Sequence, residues 1–220
     1  MNTRPSWGLL FLGAVIVAAL LVSPLWLPEL SPYIEEPEEE APFPDAFYGL
    51  ASEAQEMYSE MYETDRQMAV DFVAARLTTP EPLDEPNLPL IDPDPSGVTM
   101  LLSGSFVTLD PVRGALGTAS LYRLSDGRRL LRLENLEVVG GPELHLLLSA
   151  YPNPTTQSDL AQIPQYQIDL GPLKSGAGSQ NYIITDPAFN VENYTSGSVV
   201  IYSLPYETVF SYASLTPPPA

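Results

Sequence analysis

The sequence predicts a mainly β protein, with an antiparallel β-sandwich or barrel domain over residues 97–215. In 198–215, β-branched and aromatic residues form two strand-like runs that are separated by Pro205. An Asp-Gly turn at 125–127 joins two apolar runs, a pattern typical of a tight hairpin. Leucines alternate with other residues over 144–148, as in a strand with one face in a core. Short, regularly spaced strands with no long helix among them favour a sandwich or a barrel.

The N-terminal part begins with a predicted membrane anchor, residues 1–28. The 21 residues of 7–27 carry no charge, and a helix needs about 20 apolar residues to cross a bilayer. Trp7 and Trp26 lie at its two ends, where amphipathic rings favour the membrane interface. A cleaved signal peptide is the alternative, but the apolar run 9–22 is long for one.

The charges around this segment predict its orientation. Arg4 precedes it, and the first charges after it are all acidic. Because positive residues favour the cytoplasmic side, the N-terminus is expected in the cytoplasm and the chain after Pro28 outside. We therefore expect a single-pass protein of the cell membrane with an extracytoplasmic C-terminal domain.

Two proline-rich segments flank a predicted helix. Residues 29–44 combine prolines with a run of glutamates over 35–40, which predicts an extended acidic stalk. Residues 79–96 contain six prolines and are expected to form a linker, a semi-rigid spacer of roughly 50 Å at about 3.1 Å per residue. The β-domain is expected to begin after this linker, near Ser96, and a short tail, 216–220, follows the domain.

The segment 45–78 is predicted to be one amphipathic helix of about 33 residues. Asp45 can cap its start, and Pro80 follows its end. Its apolar residues recur at spacings of three, four or seven: Phe47, Leu50, Ala54, Met57, Met61, Met68 and Phe72. This stripe either packs on the β-domain of the same chain, which we favour, or serves self-association or the docking of a protein partner.

Composition excludes several classes of function. The chain has 220 residues, with 28 acidic and 9 basic ones, and the acidic excess is concentrated in 28–95. No cluster of lysine or arginine is present to attract nucleic acid. The chain contains no cysteine, which rules out disulfides, thiol catalysis and thiolate metal sites within it.

An ordered set of motifs in the β-domain resembles the DM13 (DM-thirteen) domain family. The motifs are Gly104-x-Phe106, Gly114-x-x-Gly117-x-Ala119, 130–136, Gly141-Pro142-Glu143-Leu144, 169–174, 178–182 and 198–202. The resemblance covers about 97–215 and implies a small extracytoplasmic β-domain with a part in electron transfer. It also implies a redox cysteine directly after the Ser-Val-Val-Ile-aromatic run. Ser203 occupies that position here, and a serine has no thiolate chemistry.

Four residues are candidate functional positions: Ser203, Tyr202, His145 and Lys174. His145 is the only histidine, and a metal site needs three or four ligands, so no metal site and no cofactor are predicted. Lys174, the only lysine, precedes the glycines of a loop that no helix pattern follows, so the loop is interpreted as a structural turn rather than a phosphate cradle. Tyr202 is a candidate for electron relay or ligand stacking, although core packing is the ordinary role of such a residue.

We therefore predict a membrane-anchored, extracytoplasmic protein that displays a β-domain as a binding or interaction module and is more consistent with a non-enzyme. The alternative is an accessory component of an electron-transfer chain that uses a bound cofactor or a partner's thiol. Hydrolysis through Ser203 is a remote alternative, since His145 is the only conventional base. The ligand of the β-domain is left open.

Overall fold

The computed structural model describes residues 41–92 and 94–218. The predicted anchor and the run of glutamates in the stalk lie outside the described residues. Among the described residues, no helix combines the length and apolar character that a membrane crossing requires. The part of the chain from Phe43 onward forms one compact unit.

Among residues 41–92, two α-helices precede the sheets. After a 3₁₀ turn at Asp45–Gly49, α1 spans Ser52–Thr64 and α2 spans Arg66–Leu77. The prediction of one continuous helix over 45–78 was wrong, because Asp65 is extended, with φ −145° and ψ 99°. Its carboxylate accepts a 3.0 Å hydrogen bond from the backbone N–H of Met68. Aspartate favours such a cap over a helix interior, so it ends one helix and starts the next.

Within the part of the chain that the structure describes, ten strands follow, together with two one-turn helices and three further 3₁₀ turns. The one-turn helices are α3 (Leu88–Ile91) and α4 (Gln157–Leu160), and the 3₁₀ turns are Pro95–Gly97, Pro164–Tyr166 and Val191–Tyr194. The strands are β1 (Leu83–Asp84), β2 (Thr99–Ser105), β3 (Thr108–Asp110), β4 (Arg113–Arg123), β5 (Arg129–Val138), β6 (Leu144–Ser149), β7 (Gln167–Pro172), β8 (Ala177–Ile184), β9 (Ser198–Ser203) and β10 (Thr208–Ser214).

These strands form two sheets that share one core. The larger sheet has the order β1-β8-β5-β4-β2, with β3 paired to β4, and the smaller has the order β10-β9-β6-β7. All pairs are antiparallel except β1 with β8. Leu121 and Leu131 of the larger sheet and Leu146 and Ile201 of the smaller are fully buried in the same cluster. The predicted mainly β, largely antiparallel fold is confirmed.

The helices pack on this core. Phe72 of α2 is fully buried, and its ring lies 5.2 Å from that of Phe210 on β10 and 5.5 Å from that of Tyr206. Phe43 and Phe47 belong to the same core cluster. Of the two interpretations of the apolar stripe, packing on the protein's own β-domain is the one observed. A role in partner docking stays a prediction.

The proline-rich segment is not a free spacer. In residues 79–92, which we call the strap, β1 pairs with Gly178 and Ser179 of β8. At the far end of the strap, Asp92 accepts hydrogen bonds from the backbone N–H and the hydroxyl of Ser125, both at 2.7 Å. Without the strap, β8 would be an unpaired edge strand. The boundary expected near Ser96 therefore does not divide the compact unit.

The two hairpins that the sequence indicates are both present. β4 and β5 are joined through Gly127, whose φ of 89° is the kind a tight turn requires. β9 and β10 pair on either side of Pro205, but a bulge shifts the register between Val209 and Ser211. Phe210 therefore packs in the central core, while Tyr212 lies with Val209 on the opposite face of the sheet. Regular strand alternation would place Phe210 and Tyr212 on the same face, and the bulge is the reason that they lie on opposite faces.

Candidate functional site

Ser203 ends β9 and lies between two neighbouring strands, opposite Leu144 of β6 and Thr208 of β10. The alternation along β9 places it on the inner face, in line with Val199 and Ile201. It is fully buried, and its hydroxyl donates a 2.7 Å hydrogen bond to the carbonyl of Pro142. The hydroxyl is therefore satisfied within the protein, as a buried polar group should be.

The backbone next to Ser203 takes an uncommon conformation on both sides. Glu143 has a φ of 42° and Glu207 a φ of 47°, and each directly precedes one of the cross-strand neighbours of Ser203. The carbonyl of Glu143 also accepts a hydrogen bond from the N–H of Leu204. Residues other than glycine rarely adopt this left-handed backbone conformation, and residues held in it cluster at functional positions. The end of β9 is thus a candidate functional region.

Tyr202 and His145 are direct neighbours across β9 and β6, on the outer face of the smaller sheet. The Tyr202 hydroxyl lies 3.0 Å from Oε1 of Gln157, to which it donates, and burial raises the pKa of this phenol to about 12. His145 Nδ1 lies 3.0 Å from a carboxylate oxygen of Asp169. Ser203 faces the other side of the sheet, so the structure does not bring a histidine base to its hydroxyl.

Lys174 lies in the loop between β7 and β8, and its ammonium group forms an ion pair with the strap. Its Nζ is 2.8 Å from the Glu85 carboxylate and 2.7 Å from the carbonyl of Asn181, and it lies 4.8 Å from the centre of the Tyr182 ring. Gly171 and Gly178, at the ends of the strands that flank this loop, both have a φ of 98°. Lys174 acts here as a fastening point for the strap.

One pair near the end of β9 was not predicted. Tyr206 lies in the turn between β9 and β10, and its hydroxyl donates a hydrogen bond to the carboxylate of Asp71 on α2. This bond raises the pKa of the Tyr206 phenol to about 12, since the carboxylate stabilises the protonated form, and burial adds to the effect. The sequence places these residues 135 positions apart, and neither helix periodicity nor strand alternation can relate them.

An apolar cavity of about 270 Å³ lies next to this region, between α2 and two loops. Leu144, the cross-strand neighbour of Ser203, is one of its walls. No charged side chain lines it; the other lining residues are Ala75, Thr78, Pro80, Val138, Gly140, Gly141, Leu173 and Gly176. Such a lining suits a small apolar group rather than an ion. No group of three potential metal ligands occurs within 41–92 and 94–218.

Comparison with known proteins identifies one family. Residues 107–215 match the model of the family described as Electron transfer DM13. The match includes β9 and Ser203 and leaves out α1, α2, the strap and β2. No curated protein and no solved structure matches the chain.

Proposed function

The chain carries a DM13 domain over residues 107–215, and on this premise we propose that it is a membrane-anchored extracytoplasmic protein whose domain acts as a binding or interaction module. The observation that carries this proposal is the replacement at the end of β9. Ser203, buried and bonded to Pro142, stands where the family resemblance implies a redox cysteine. The chain contains no cysteine at any other position. It therefore has no thiol for redox chemistry.

The binding surface that best fits this role is the apolar cavity beside Leu144. It lies where the DM13 domain meets α2 and the strap, which are parts of this chain outside the family match. An apolar side chain or another small apolar group of a partner would gain from burial there at about 25 cal/mol per Å² of apolar surface. A partner that inserts such a group would contact the DM13 domain and also α2 and the strap.

The membrane attachment rests on the uncharged segment 7–27 and the charges that flank it. Protease treatment of intact cells tests it. A domain outside the membrane is cleaved without cell lysis, while a domain in the cytoplasm is protected until lysis. Protection in intact cells would contradict the proposed localisation.

Cavity-filling variants test the interaction role. A photo-crosslinking amino acid at Thr78, an exposed wall residue, should capture a partner in cells of the source organism, and Leu173→Trp should abolish the capture by filling the cavity. The same amino acid at the exposed Ile183 serves as a control outside the cavity. Ser203→Ala should keep the capture. Capture that is independent of the cavity would contradict the proposed surface.

The second candidate function is that of an accessory in electron transfer, which the description of the family favours. It requires a redox cofactor or a partner's redox group, because this chain lacks the cysteine. Absorbance and metal analysis of the natively purified protein distinguish the interaction module from the electron-transfer accessory. A haem, flavin or copper ion recovered in stoichiometric amount supports the accessory role over the interaction module.

A further inference from the structure

Tyr206 differs from Tyr202, Tyr182 and Tyr58 in the group that accepts the hydrogen bond of its hydroxyl. Tyr202 donates to the amide of Gln157, and the Tyr182 hydroxyl lies 2.9 Å from the amide oxygen of Gln180. The fully buried hydroxyl of Tyr58 has no partner among the described residues. Tyr206 alone among these donates to a carboxylate, that of Asp71. An amide oxygen accepts a hydrogen bond, whereas a carboxylate can also take the proton.

This difference matters for the loss of an electron. A phenol that loses an electron becomes a strong acid, so its oxidation is favoured when a base already lies in hydrogen-bond contact. The pKa of about 12 keeps the Tyr206 phenol protonated until that moment. The base is held in place by α2, where Phe72, the neighbour of Asp71, packs edge-on against the Tyr206 ring at 5.5 Å. The acceptor is therefore positioned before the reaction begins.

The location also favours exchange with an external redox centre. Tyr206 lies in the short turn after Ser203, the position at which the family resemblance implies a redox residue. The ring is half-buried, and Leu204, Pro205 and Glu207 of the same turn are exposed. A partner can therefore approach the ring closely without any rearrangement of the sheets.

We propose that Tyr206 and Asp71 form a redox pair, in which Tyr206 gives one electron to a metal centre of a partner protein while its proton moves to Asp71. The phenolic O–H bond breaks, an O–H bond forms on the carboxylate, and the metal is reduced by one electron. The products are a neutral tyrosyl radical and a protonated Asp71. Return of one electron and of the proton restores the starting pair.

Rapid oxidation of the full chain by hexachloroiridate tests the proposal, with the tyrosyl radical followed by absorbance and by electron paramagnetic resonance. Tyr206→Phe keeps the ring and should remove a fast phase of oxidation. Asp71→Asn keeps an oxygen that accepts the hydrogen bond but removes the base, and should slow that phase by about 100-fold. Tyr182→Phe, which removes a hydroxyl bonded to the amide of Gln180, is the matched control and should leave the fast phase unchanged.

Each variant can contradict the proposal. A fast phase that persists in Tyr206→Phe places the reaction elsewhere, and a phase that keeps its rate in Asp71→Asn shows that the carboxylate is only a structural partner. Absence of a tyrosyl signal in the unsubstituted protein also overturns the proposal. The outcome is separable from the interaction role, since partner capture at Thr78 can be measured in the same variants.

Discussion

Glu85 and Lys174 form an ion pair at 2.8 Å that fastens the strap to the loop before β8. The same carboxylate accepts a 2.6 Å hydrogen bond from the backbone N–H of Asn181, so a single side chain of the strap binds β8 and its loop together. Further polar contacts act in parallel. The Ser175 hydroxyl donates to the carbonyl of Glu81, and Arg132 donates to the carbonyl of Pro86. Polar contacts thus hold the strap together with the packing of Leu88 and Ile91 against a buried apolar cluster of the larger sheet.

Glu85→Ala should loosen the strap, because it leaves the Asn181 N–H without its acceptor and the Lys174 ammonium without its carboxylate partner. We expect a loss of about 1–3 kcal/mol in the free energy of unfolding, measured with a chemical denaturant. Glu81→Ala is the control, since Glu81 contributes its backbone carbonyl to Ser175 and keeps it in the variant. Equal losses in both variants would show that the Glu85 carboxylate does not hold the strap.

Alanine substitutions at Gly178 and Gly171 separate the energetic effect of close contact with the strap from the effect of backbone strain. Both have a φ of 98°, so alanine introduces the same kind of strain at each. At Gly178 the added Cβ would lie 2.3 Å from the carbonyl oxygen of Leu83 in β1, whereas at Gly171 nothing lies within 4 Å. We expect Gly178→Ala to destabilise the protein by about 1–3 kcal/mol more than Gly171→Ala.

Limited proteolysis provides the second measurement for this pair. If β1 is displaced in Gly178→Ala, cleavage within the strap should become faster than in the unsubstituted protein, while Gly171→Ala should be cleaved at the unsubstituted rate. Equal unfolding free energies for the two alanine variants would contradict close contact between β1 and β8.

The sequence was sufficient where the deciding interactions are local. The turn at Gly127, the division at Pro205 and the positive φ of Gly171 all follow from residues within a few positions of one another. The leucine alternation likewise assigns Leu146 to the core. Strand alternation and turn chemistry depend on neighbours in the chain, so they can be read without knowledge of the fold.

The remainder depends on contacts between distant parts of the chain. The strap was predicted to be a spacer because proline content describes the segment alone, and the free edge of β8 that it covers becomes visible only in the folded sheet. The break at Asp65 went unrecognised because the apolar spacing continues across it. In the candidate site, Ser203 was found through the family resemblance, whereas the bond between Tyr206 and Asp71 has no signature in the sequence.

Phe72 should be one of the largest contributors to stability outside the sheets. It is fully buried between the rings of Phe210 and Tyr206, and Phe72→Ala should reduce the free energy of unfolding by about 3–5 kcal/mol. Val70→Ala, on the exposed side of the same helix, should change it by no more than about 0.5 kcal/mol. A small effect of Phe72→Ala would mean that the helices do not share the core of the DM13 domain.

Substitutions at Ser203 separate packing from chemistry. Ser203→Ala removes the donor to the Pro142 carbonyl and should cost about 1 kcal/mol of unfolding free energy. Ser203→Cys restores the residue that the family resemblance implies, but in this chain the position is fully buried. We therefore expect its thiol to react with a disulfide reagent only after denaturation. Rapid labelling of the folded variant would show that the position is accessible and that redox chemistry could be restored there.

We expect Asp92 to make the attachment of the strap dependent on pH. Its pKa is held below the usual 3.8, chiefly by the hydrogen bond from the Ser125 backbone N–H and then by that from the Ser125 hydroxyl, with Arg128 adding a smaller attraction. Because the folded pKa is lowered, the stabilisation is complete above the unfolded value. It is lost as the pH falls through the folded value, so the window lies from about pH 4 downward.

Asp92→Asn keeps an oxygen acceptor but cannot ionise, so it should be less stable than the unsubstituted protein at neutral pH, and the difference should shrink as the pH falls below about 4. Asp126 and Asp159, whose pKa values are also lowered by hydrogen bonds, are present in both proteins and cancel in the difference. Ser125→Ala removes the hydroxyl donor and keeps the backbone N–H donor. Its loss of unfolding free energy at neutral pH should therefore be smaller than that of Asp92→Asn, and it should shrink over the same pH range. Denaturant unfolding at a series of pH values measures all three proteins. Parallel curves for the unsubstituted protein and Asp92→Asn would show that ionisation of this carboxyl does not fasten the strap, because the loss of a charge-independent contact does not vary with pH.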